Sequence, residues 1–223
     1  ARGEPSLSTD AILDRFIEWA AAQNLSLYPA QEEAVLELLG GKHVILATPT
    51  GSGKSLVAQA FHFMAMAQGK RSFYTCPIKA LVNEKFFALC EAFGPENVGM
   101  MTGDAAINHE APIICCTAEV LANLSLREQR LFAECVVMDE FHYYGDKERG
   151  VNWQVPLLTM PETQFLLMSA TLGDMSQVSE KLTALTSREV VEVRNSQRPV
   201  PLEFTYSEEP LHETIKTLLQ QNK

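Results

Sequence analysis

Residues 48–55, TPTGSGKS, place two glycines, a lysine and a serine between an apolar run and a segment with helical spacing. Gly51 and Gly53 permit backbone conformations that turn successive N–H groups inward, where they can surround phosphate oxygens. The helix that follows would add the positive end of its dipole. In such a loop Lys54 can neutralise the β- and γ-phosphates of a nucleotide, and the Ser55 hydroxyl can ligate Mg²⁺. The spacing therefore indicates a phosphate-binding loop.

The same stretch fits the P-loop pattern with one departure. Its first position is Thr48, where glycine or alanine is usual, and we expect this small side chain to fit. Thr48, Thr50 and Ser52 therefore join the glycines, Lys54 and Ser55 as predicted nucleotide-binding residues. The alternative is a glycine turn with an incidental lysine. The apolar run before the loop and the amphipathic segment after it make that interpretation the weaker one.

A second chemical centre is the apolar run VVMDEFH at residues 136–142, which ends in two adjacent carboxylates, Asp139 and Glu140. Alternation along a strand would point the two side chains in different directions, so they can take different roles. We assign Asp139 to Mg²⁺, through the water shell of the ion, and Glu140 to a hydrolytic water. Alone, Asp139 could equally be a helix N-cap. Together with Lys54 the pair predicts catalysis on a nucleotide, in a crevice where two neighbouring strands end.

Six apolar runs bounded by turn residues predict the strands of a sheet that is covered on both faces. Segments with helical character separate most of them, among them residues 55–68, 79–93 and 175–185. This alternation predicts an α/β fold with a mostly parallel sheet and helices on both faces. Ligands of such sheets bind at the carboxyl ends of the strands, where the motifs fall. The predicted strands begin at His43, Arg71, Ala111, Glu134, Gln164 and Arg188.

The composition is that of a globular protein with a full core: 223 residues, 46% of them hydrophobic and 21% charged. No apolar run approaches the ~20 residues needed to span a bilayer. The amino terminus has neither a signal-peptide core nor an initiator Met, so we expect a cytoplasmic protein and a piece of a longer chain. The five cysteines show no metal-ligand spacing and are expected to be reduced, buried thiols.

The net charge of −10 argues against a protein that holds nucleic acid simply by neutralising phosphates, because such proteins carry a basic patch. No basic run is present. Any polynucleotide would have to be held largely by backbone amides and helix N-termini, or by parts beyond these residues.

Four further motifs accompany the loop and the acidic pair in a fixed order: CPIKALVNEKF (76–86), MTGD (101–104), CTAEVLAN (116–123) and MSAT (168–171). With TPTGSGKS and DEFH they resemble the DExH-box helicases of superfamily two. The strings PIKAL.NEK, TGD..IN and DEFHYYGD.ERG.NW are similar, more narrowly, to the superkiller-type (Ski-like) RNA helicases. The resemblance covers residues 25–206 and implies a RecA-like P-loop NTPase domain.

The resemblance also implies roles for matching residues. Gln31 matches the glutamine that reads adenine, with an ordinary helix glutamine as the alternative. Ser169 and Thr171 match the motif that couples hydrolysis to strand movement, and His142 matches a histidine whose usual partner lies in a second RecA-like domain. The residues that match segments contacting the nucleic-acid backbone, or alternatively ordinary strand-to-helix connections, are Pro77, Lys79, Ala80, Thr102, Gly103, Thr117 and Glu119. Arg149, Gly150 and Trp153 match an RG..W segment that we interpret as structural, ordering the loop beside the site, with a contact to a partner as the alternative.

The implied organisation is an N-terminal flanking helix (1–24), a RecA-like ATP-binding domain (25–194), a linker (195–210) and the first helix of a second RecA-like domain (211–223). The implied function is an ATP-dependent helicase that uses ATP and Mg²⁺ on single-stranded nucleic acid, with RNA expected and no membrane partner. The second domain would supply arginine fingers, so these residues alone are expected to hydrolyse ATP poorly. Two alternatives are a small-molecule P-loop kinase or transferase, which leaves three motifs unexplained, and a non-catalytic nucleotide-binding scaffold. The intact Lys54, Asp139 and Glu140 argue against the scaffold.

Overall fold

The computed structural model describes residues 8–128, 132–195, 206 and 208–220. Within those ranges helices and strands alternate along most of the chain. The helices are α1 (Thr9–Ala22), α2 (Pro29–Leu39), α3 (Lys54–Ala67), α4 (Lys79–Phe93), α5 (Ala118–Arg127), α6 (Gly150–Thr159), α7 (Ser176–Thr186) and α8 (Leu211–Gln220). The strands are β1 (His43–Ala47), β2 (Ser72–Cys76), β3 (Val98–Met101), β4 (Ala106–Ile107), β5 (Ile113–Thr117), β6 (Cys135–Met138), β7 (Gln164–Ser169) and β8 (Val190–Arg194). Two short 3-10 helices span Pro95–Asn97 and Phe141–Gly145.

The strands form one sheet in the order β4-β3-β5-β2-β6-β7-β1-β8. All pairs are parallel except that of β4 with β3. The predicted α/β class and all six predicted strands are confirmed, whereas β3 and β4 were not predicted. The expectation that the two nucleotide motifs end neighbouring strands is wrong, because β7 lies between β1 and β6.

Alternate residues of the central strands face two separate cores. In β1, Val44 and Leu46 belong to the core formed with α1 to α4, while Ile45 belongs to the core formed with α5, α6 and α7. Strands covered on both faces have no polar side to show, which is why they appear in the sequence as continuous apolar runs. The apolar segment of α3 is core, as predicted, with Phe61 and Met64 buried.

The predicted helices are confirmed within a residue at most of their ends. The one predicted at 79–93 coincides with α4, and α3 and α7 begin one residue from their predicted starts. The N-terminal helix α1 packs on the domain: Ile12 and Phe16 are buried in the first core. By contrast, α8 buries none of its residues. Most of the predicted linker, residues 196–205 and 207, lies outside the described residues.

The cysteines are all free, and four of the five are buried. Burial raises the pKa of each thiol, to about 12 for Cys116 and Cys135, so the side chains are inert apolar packing. In the part of the chain that the structure describes, no helix combines the length and the apolar character needed to cross a bilayer.

Candidate functional site

The phosphate-binding loop connects the end of β1 to the start of α3, as the sequence predicts. Gly51 (φ 81°) and Gly53 (φ 75°) both have left-handed backbone conformations, which glycine adopts without a steric penalty. The Thr48 and Ser52 hydroxyl oxygens are 2.6 Å apart and buried, so the threonine at the unusual first position fits and braces the loop. Ser55 lies in the first turn of α3 and is exposed, so its hydroxyl is available to a ligand.

The Lys54 ammonium folds back onto its own loop. It donates hydrogen bonds to the carbonyl oxygens of Thr48 (2.7 Å) and Pro49 (3.0 Å). Burial lowers the pKa of Lys54 below its usual value, and the negative charges of Asp139 and Glu140 partly oppose that shift. The phosphate-binding loop after β1 and the acidic pair after β6 lie at the same edge of the parallel sheet, with β7 between their strands.

Gln31 lies under the loop rather than apart from it. Its side-chain NH₂ donates to the carbonyl oxygens of Ser52 and Gly53, both at 3.0 Å, and its Oε1 accepts from the Tyr28 N–H at 2.8 Å. A Cβ on Gly53 would stand 2.3 Å from Gln31 Nε2, and the left-handed backbone of Gly53 (φ 75°) independently favours glycine. In this arrangement both N–H donors of the Gln31 amide are already bonded to loop carbonyl oxygens. Donation to a base would therefore require Gln31 to give up at least one of those bonds.

The acidic pair follows the last residue of β6, Met138. Asp139 is only 9% exposed, and its two oxygens accept hydrogen bonds from the Tyr74 hydroxyl (2.7 Å) and the Glu140 N–H (3.0 Å). Strand alternation does not separate the two carboxylates as predicted. The strand has already ended, and Glu140 has a left-handed backbone (φ 54°) that directs its side chain to the surface, where it is 39% exposed.

The DEFH and MSAT motifs are joined by a direct contact. His142 Nδ1 is 3.1 Å from Ser169 Oγ at the end of β7 and 3.3 Å from Glu140 Oε2. Ser169 Oγ in turn accepts from the Thr171 N–H at 3.3 Å. The residues predicted to couple hydrolysis to movement therefore lie between the phosphate-binding loop and the acidic pair.

The segments that the resemblance assigns to backbone contact meet at an open pocket of about 470 Å³, here called the strand-end pocket. It lies where the β2–α4, β3–β4 and β5–α5 connections come together. Ala80 and Thr102 are adjacent to it in sequence but do not line it. The lining residues are Pro77, Ile78, Lys79, Gly103, Thr117, Ala118 and Glu119, together with Arg149, Asn152 and Trp153 around the start of α6.

Three helices begin at the strand-end pocket, and the N-cap residue of each one lines it: Ile78 for α4, Thr117 for α5 and Arg149 for α6. Thr117 also caps its own helix, since its hydroxyl accepts from the Val120 N–H at 3.4 Å. The predicted N-cap alternative is therefore correct for Thr117 without excluding a ligand contact. Converging helix N-termini make the local potential favourable to an anion despite the net charge of −10.

A second open pocket, of about 740 Å³, lies where the segments that follow β1, β7 and β8 meet. Thr50, Thr171 and Arg194 are among the residues that line it. Arg194, at the end of β8, donates hydrogen bonds to the carbonyl oxygens of Leu172 (3.3 Å) and Gly173 (2.8 Å). The segment after MSAT is thereby fastened to the edge strand.

The motifs of this site fall within one known protein family. The family model described as "DEAD/DEAH box helicase" matches residues 28–178, which include every motif above. The chain belongs to the DEAD/DEAH box helicases. Its N-terminal helix α1 and its C-terminal helix α8 lie outside the matched range.

Similar DEAD/DEAH box proteins come from plants, fungi and bacteria. The chain is 36% identical to a chloroplastic DExH-box ATP-dependent RNA helicase of Arabidopsis thaliana, over 79% of this chain and 16% of that protein. It is 36% identical to the antiviral helicase SKI2 of Saccharomyces cerevisiae, over 78% of this chain and 14% of that protein. It is 34% identical to the probable helicase HelY of Mycobacterium tuberculosis, over 86% and 21%. The chain thus spans about a fifth or less of these relatives.

Solved structures of helicases share the fold. A hypothetical ATP-dependent RNA helicase from Sulfolobus tokodaii superposes with a TM-score of 0.62 at 20% identity, over 80% of this chain and 57% of that one. The DUF1998 helicase MrfA bound to DNA and AMPPNP gives 0.66 at 20% identity, over 87% and 30%. The expected RecA-like fold is confirmed.

Sequence reasoning missed three residues of this helicase domain that the structure brings to its sites: Tyr74, Asn152 and Arg194. A phenol inside a strand that is covered on both faces is a signal that could have been used, because a buried hydroxyl needs a partner. Arg149 was noticed and interpreted as structural, with a contact to a partner as the alternative. Gly150 and Trp153 fit that interpretation. A Cβ at Gly150 would stand 2.4 Å from the Tyr144 carbonyl oxygen, and Trp153 is 1% exposed against Phe141.

Proposed function

We propose that this chain is the ATP-binding motor domain of an ATP-dependent helicase that acts on single-stranded RNA. One observation carries the proposal: the phosphate-binding loop follows β1 and the acidic pair follows β6 at the same edge of the parallel sheet, with only β7 between them and with His142 of DEFH 3.1 Å from Ser169 at the end of β7. A triphosphate on the loop would therefore place its γ-phosphate next to the carboxylate pair. That juxtaposition suits in-line attack by water on the γ-phosphate. A simple glycine turn with an incidental lysine would leave the nearby acidic pair unexplained.

The loop residues would bind the triphosphate. Lys54 would exchange the carbonyl oxygens of Thr48 and Pro49 for β- and γ-phosphate oxygens, and its positive charge would stabilise charge that develops during transfer. The N–H groups around Gly51 and Gly53 would surround the remaining oxygens. Gln31 would reach adenine by giving up its bonds to the loop carbonyls, so binding of the base and opening of the loop would occur together.

Ser55 and Asp139 would hold Mg²⁺. The exposed hydroxyl and the fixed carboxylate are hard oxygen ligands of the kind this ion prefers, and Mg²⁺ sites commonly use one or two such groups with phosphates and water. Among the described residues no group of three His, Cys, Asp or Glu side chains could hold a metal. The ion would supply charge neutralisation on the phosphates.

Glu140 would orient the hydrolytic water and accept its proton. Its carboxylate is partly exposed at the mouth of the crevice and lies beside His142. His142 and Ser169 would report the state of the γ-phosphate through their 3.1 Å contact, and Thr171 continues that connection toward the second pocket. A second RecA-like domain, beginning with α8, would close over this face and contribute the arginine fingers.

The strand-end pocket would hold the nucleic-acid backbone. Pro77, Lys79, Gly103, Thr117 and Glu119 line it, with Ala80 and Thr102 beside them. Backbone amides and helix N-termini can bind sugar and phosphate without reading bases, as a translocating motor requires. RNA is the expected substrate because the Arabidopsis relative is named an RNA helicase. MrfA, which shares only the fold, is bound to DNA, so both polymers belong in the test.

The decisive experiment replaces Glu140 by Gln in the full-length protein. Steady-state ATP turnover should fall about 10²–10⁴-fold, the usual contribution of a general base. Binding of a fluorescent ATP analogue should be retained, since Glu140 is assigned to the water. Glu148→Gln is the matched control, because it removes the same charge from an exposed position in the same segment. Turnover that survives Glu140→Gln, or wild-type protein without ATP turnover in the presence of RNA or DNA, contradicts the proposal. The latter result would favour the scaffold alternative.

A further inference from the structure

We infer that Arg149 is a nucleic-acid contact, binding a backbone phosphate in the strand-end pocket. The inference rests on the proposed function and adds to it a residue from α6, an element outside the motifs assigned to backbone contact. Arg149 lines the same pocket as Lys79, Thr117 and Glu119. It extends the lining of that pocket from the strand-to-helix connections to the start of α6.

The main chain holds Arg149 in a fixed place. Asp146 Oδ1 accepts the N–H groups of Glu148 (2.9 Å) and Arg149 (2.7 Å), and the Gly150 N–H donates to the Asp146 carbonyl oxygen (3.0 Å). These bonds also lower the pKa of the Asp146 carboxyl, so the turn persists at neutral pH. An arginine on so fixed a turn loses little backbone freedom when it binds.

Packing on the inner side fixes α6 itself. Gly150 touches the Tyr144 carbonyl oxygen, and Trp153 lies edge-on to Phe141 with ring centroids 6.2 Å apart. Phe141 directly follows Glu140 in the chain. The start of α6 is therefore attached both to the strand-end pocket and to the acidic pair. This accounts for the structural role of Gly150 and Trp153, but it does not require an arginine at 149.

The charges in the strand-end pocket give the arginine its function. Lys79 is already paired with Asp104, with 2.7 Å between Nζ and Oδ1, and Glu119 is an anion. Arg149 is exposed, and among the described residues its guanidinium forms neither an ion pair nor a side-chain hydrogen bond. It is therefore the cation of this lining without a side-chain ion pair among the described residues, and the negative charges near it are Asp146 and Glu119. A planar guanidinium can bind two phosphate oxygens at once, which suits a backbone contact that ignores base identity.

The test measures binding of fluorescently labelled oligo-U RNA and oligo-dT DNA to the full-length protein with a non-hydrolysable ATP analogue, over a range of salt concentrations. Arg149→Ala should lower the affinity for both oligonucleotides about tenfold or more, as expected for the loss of a hydrogen bond from a charged donor. The slope of log affinity against log salt should decrease by about 0.7, the value for one phosphate contact on a single strand. Arg149→Lys should keep the slope and lose part of the affinity, because the charge remains but the paired geometry does not.

Lys147→Ala is the matched control. It removes one positive charge from an exposed residue two positions away that does not line the pocket. Lys147→Ala should keep the affinity for both oligonucleotides within twofold of the wild type, and it should leave the salt slope unchanged. Equal effects of the two alanine variants, or no effect of Arg149→Ala, would overturn the inference while leaving the proposed function in place. Wild-type protein that binds neither oligonucleotide would instead refute the proposed function. If Arg149→Ala does not fold, Arg149→Gln takes its place, because it keeps a long polar side chain without the charge, and wild-type affinity and salt slope in that variant overturn the inference.

Discussion

Replacing Tyr74 by phenylalanine removes one oxygen atom from the centre of the protein. That oxygen lies on β2 and donates a 2.7 Å hydrogen bond to Oδ2 of Asp139, which follows β6 on the neighbouring strand. Tyr74 is 2% exposed, and burial together with the Asp139 charge raises its pKa well above the usual value, so it is a neutral donor at any physiological pH. Phenylalanine keeps the ring and its packing. The substitution therefore isolates the hydrogen bond.

The expected loss follows from what remains at Asp139. Hydrogen bonds to charged groups contribute about 1.5–3 kcal/mol, and leaving a buried acceptor unsatisfied adds to the cost. Asp139 keeps one donor, the Glu140 N–H, so the carboxylate is not fully orphaned. We expect the free energy of unfolding to fall by about 2 kcal/mol. With a urea m-value of about 2 kcal/mol/M, the unfolding midpoint would move by about 1 M.

The assay is urea unfolding followed by circular dichroism at pH 7.5. Tyr144→Phe is the control, since no hydrogen bond of its hydroxyl is present among the described residues and its midpoint should hardly move. In an Asp139→Asn background the acceptor is no longer charged, so Tyr74→Phe should cost clearly less there. A loss no larger than that of Tyr144→Phe, or an unchanged loss in the Asp139→Asn background, would refute the reasoning.

Two further predictions concern the same domain. Gly150→Ala places a methyl group 2.4 Å from the Tyr144 carbonyl oxygen and should lower the free energy of unfolding by about 1–3 kcal/mol. The control is Gly145→Ala, whose added methyl group has no heavy atom within 4 Å and should change that free energy by less than about 0.5 kcal/mol. Equal urea midpoints for the two variants would contradict the packing of α6. Burial lowers the pKa of His43 and of His62 from 6.5 to about 3, so the unfolded chain takes up protons below pH 6.5 that the folded protein cannot bind. Stability should therefore decrease as pH falls, by about 1.4 kcal/mol per histidine between pH 7.5 and 5.5, and urea midpoints that stay constant over this range would contradict it.

The strands were predictable because burial on both faces leaves its mark in the sequence. β1 and β7 appear as unbroken apolar runs, and each ends at a motif. β4 has two residues, both exposed, and β3 has four including a glycine, so neither offers a pattern to recognise. The order of the strands is a long-range property. Nothing local indicates that β7 inserts between β1 and β6.

The candidate site shows the same division. The spacing of glycines and lysine predicted the left-handed turns at Gly51 and Gly53, because those demands are local. The partners of the side chains were beyond reach. The bond from Tyr74 to Asp139 joins residues 65 positions apart, and the bonds from Gln31 to the loop join residues 21 and 22 positions apart. Such contacts exist only after the sheet has formed.

The position of β7 determines which residue lies between the two nucleotide motifs. Because this strand separates the lysine loop from the carboxylate pair, the residue at its end is the natural intermediary between them. Ser169 holds that position, 3.1 Å from His142 and within reach of the Thr171 N–H. A pair of adjacent strands would have brought Lys54 and Asp139 together without any such intermediary. Under the proposed function, a change at the nucleotide would reach the second pocket through Ser169, which directly precedes the segment 170–173 that lines it, so the strand order would contribute to mechanical coupling.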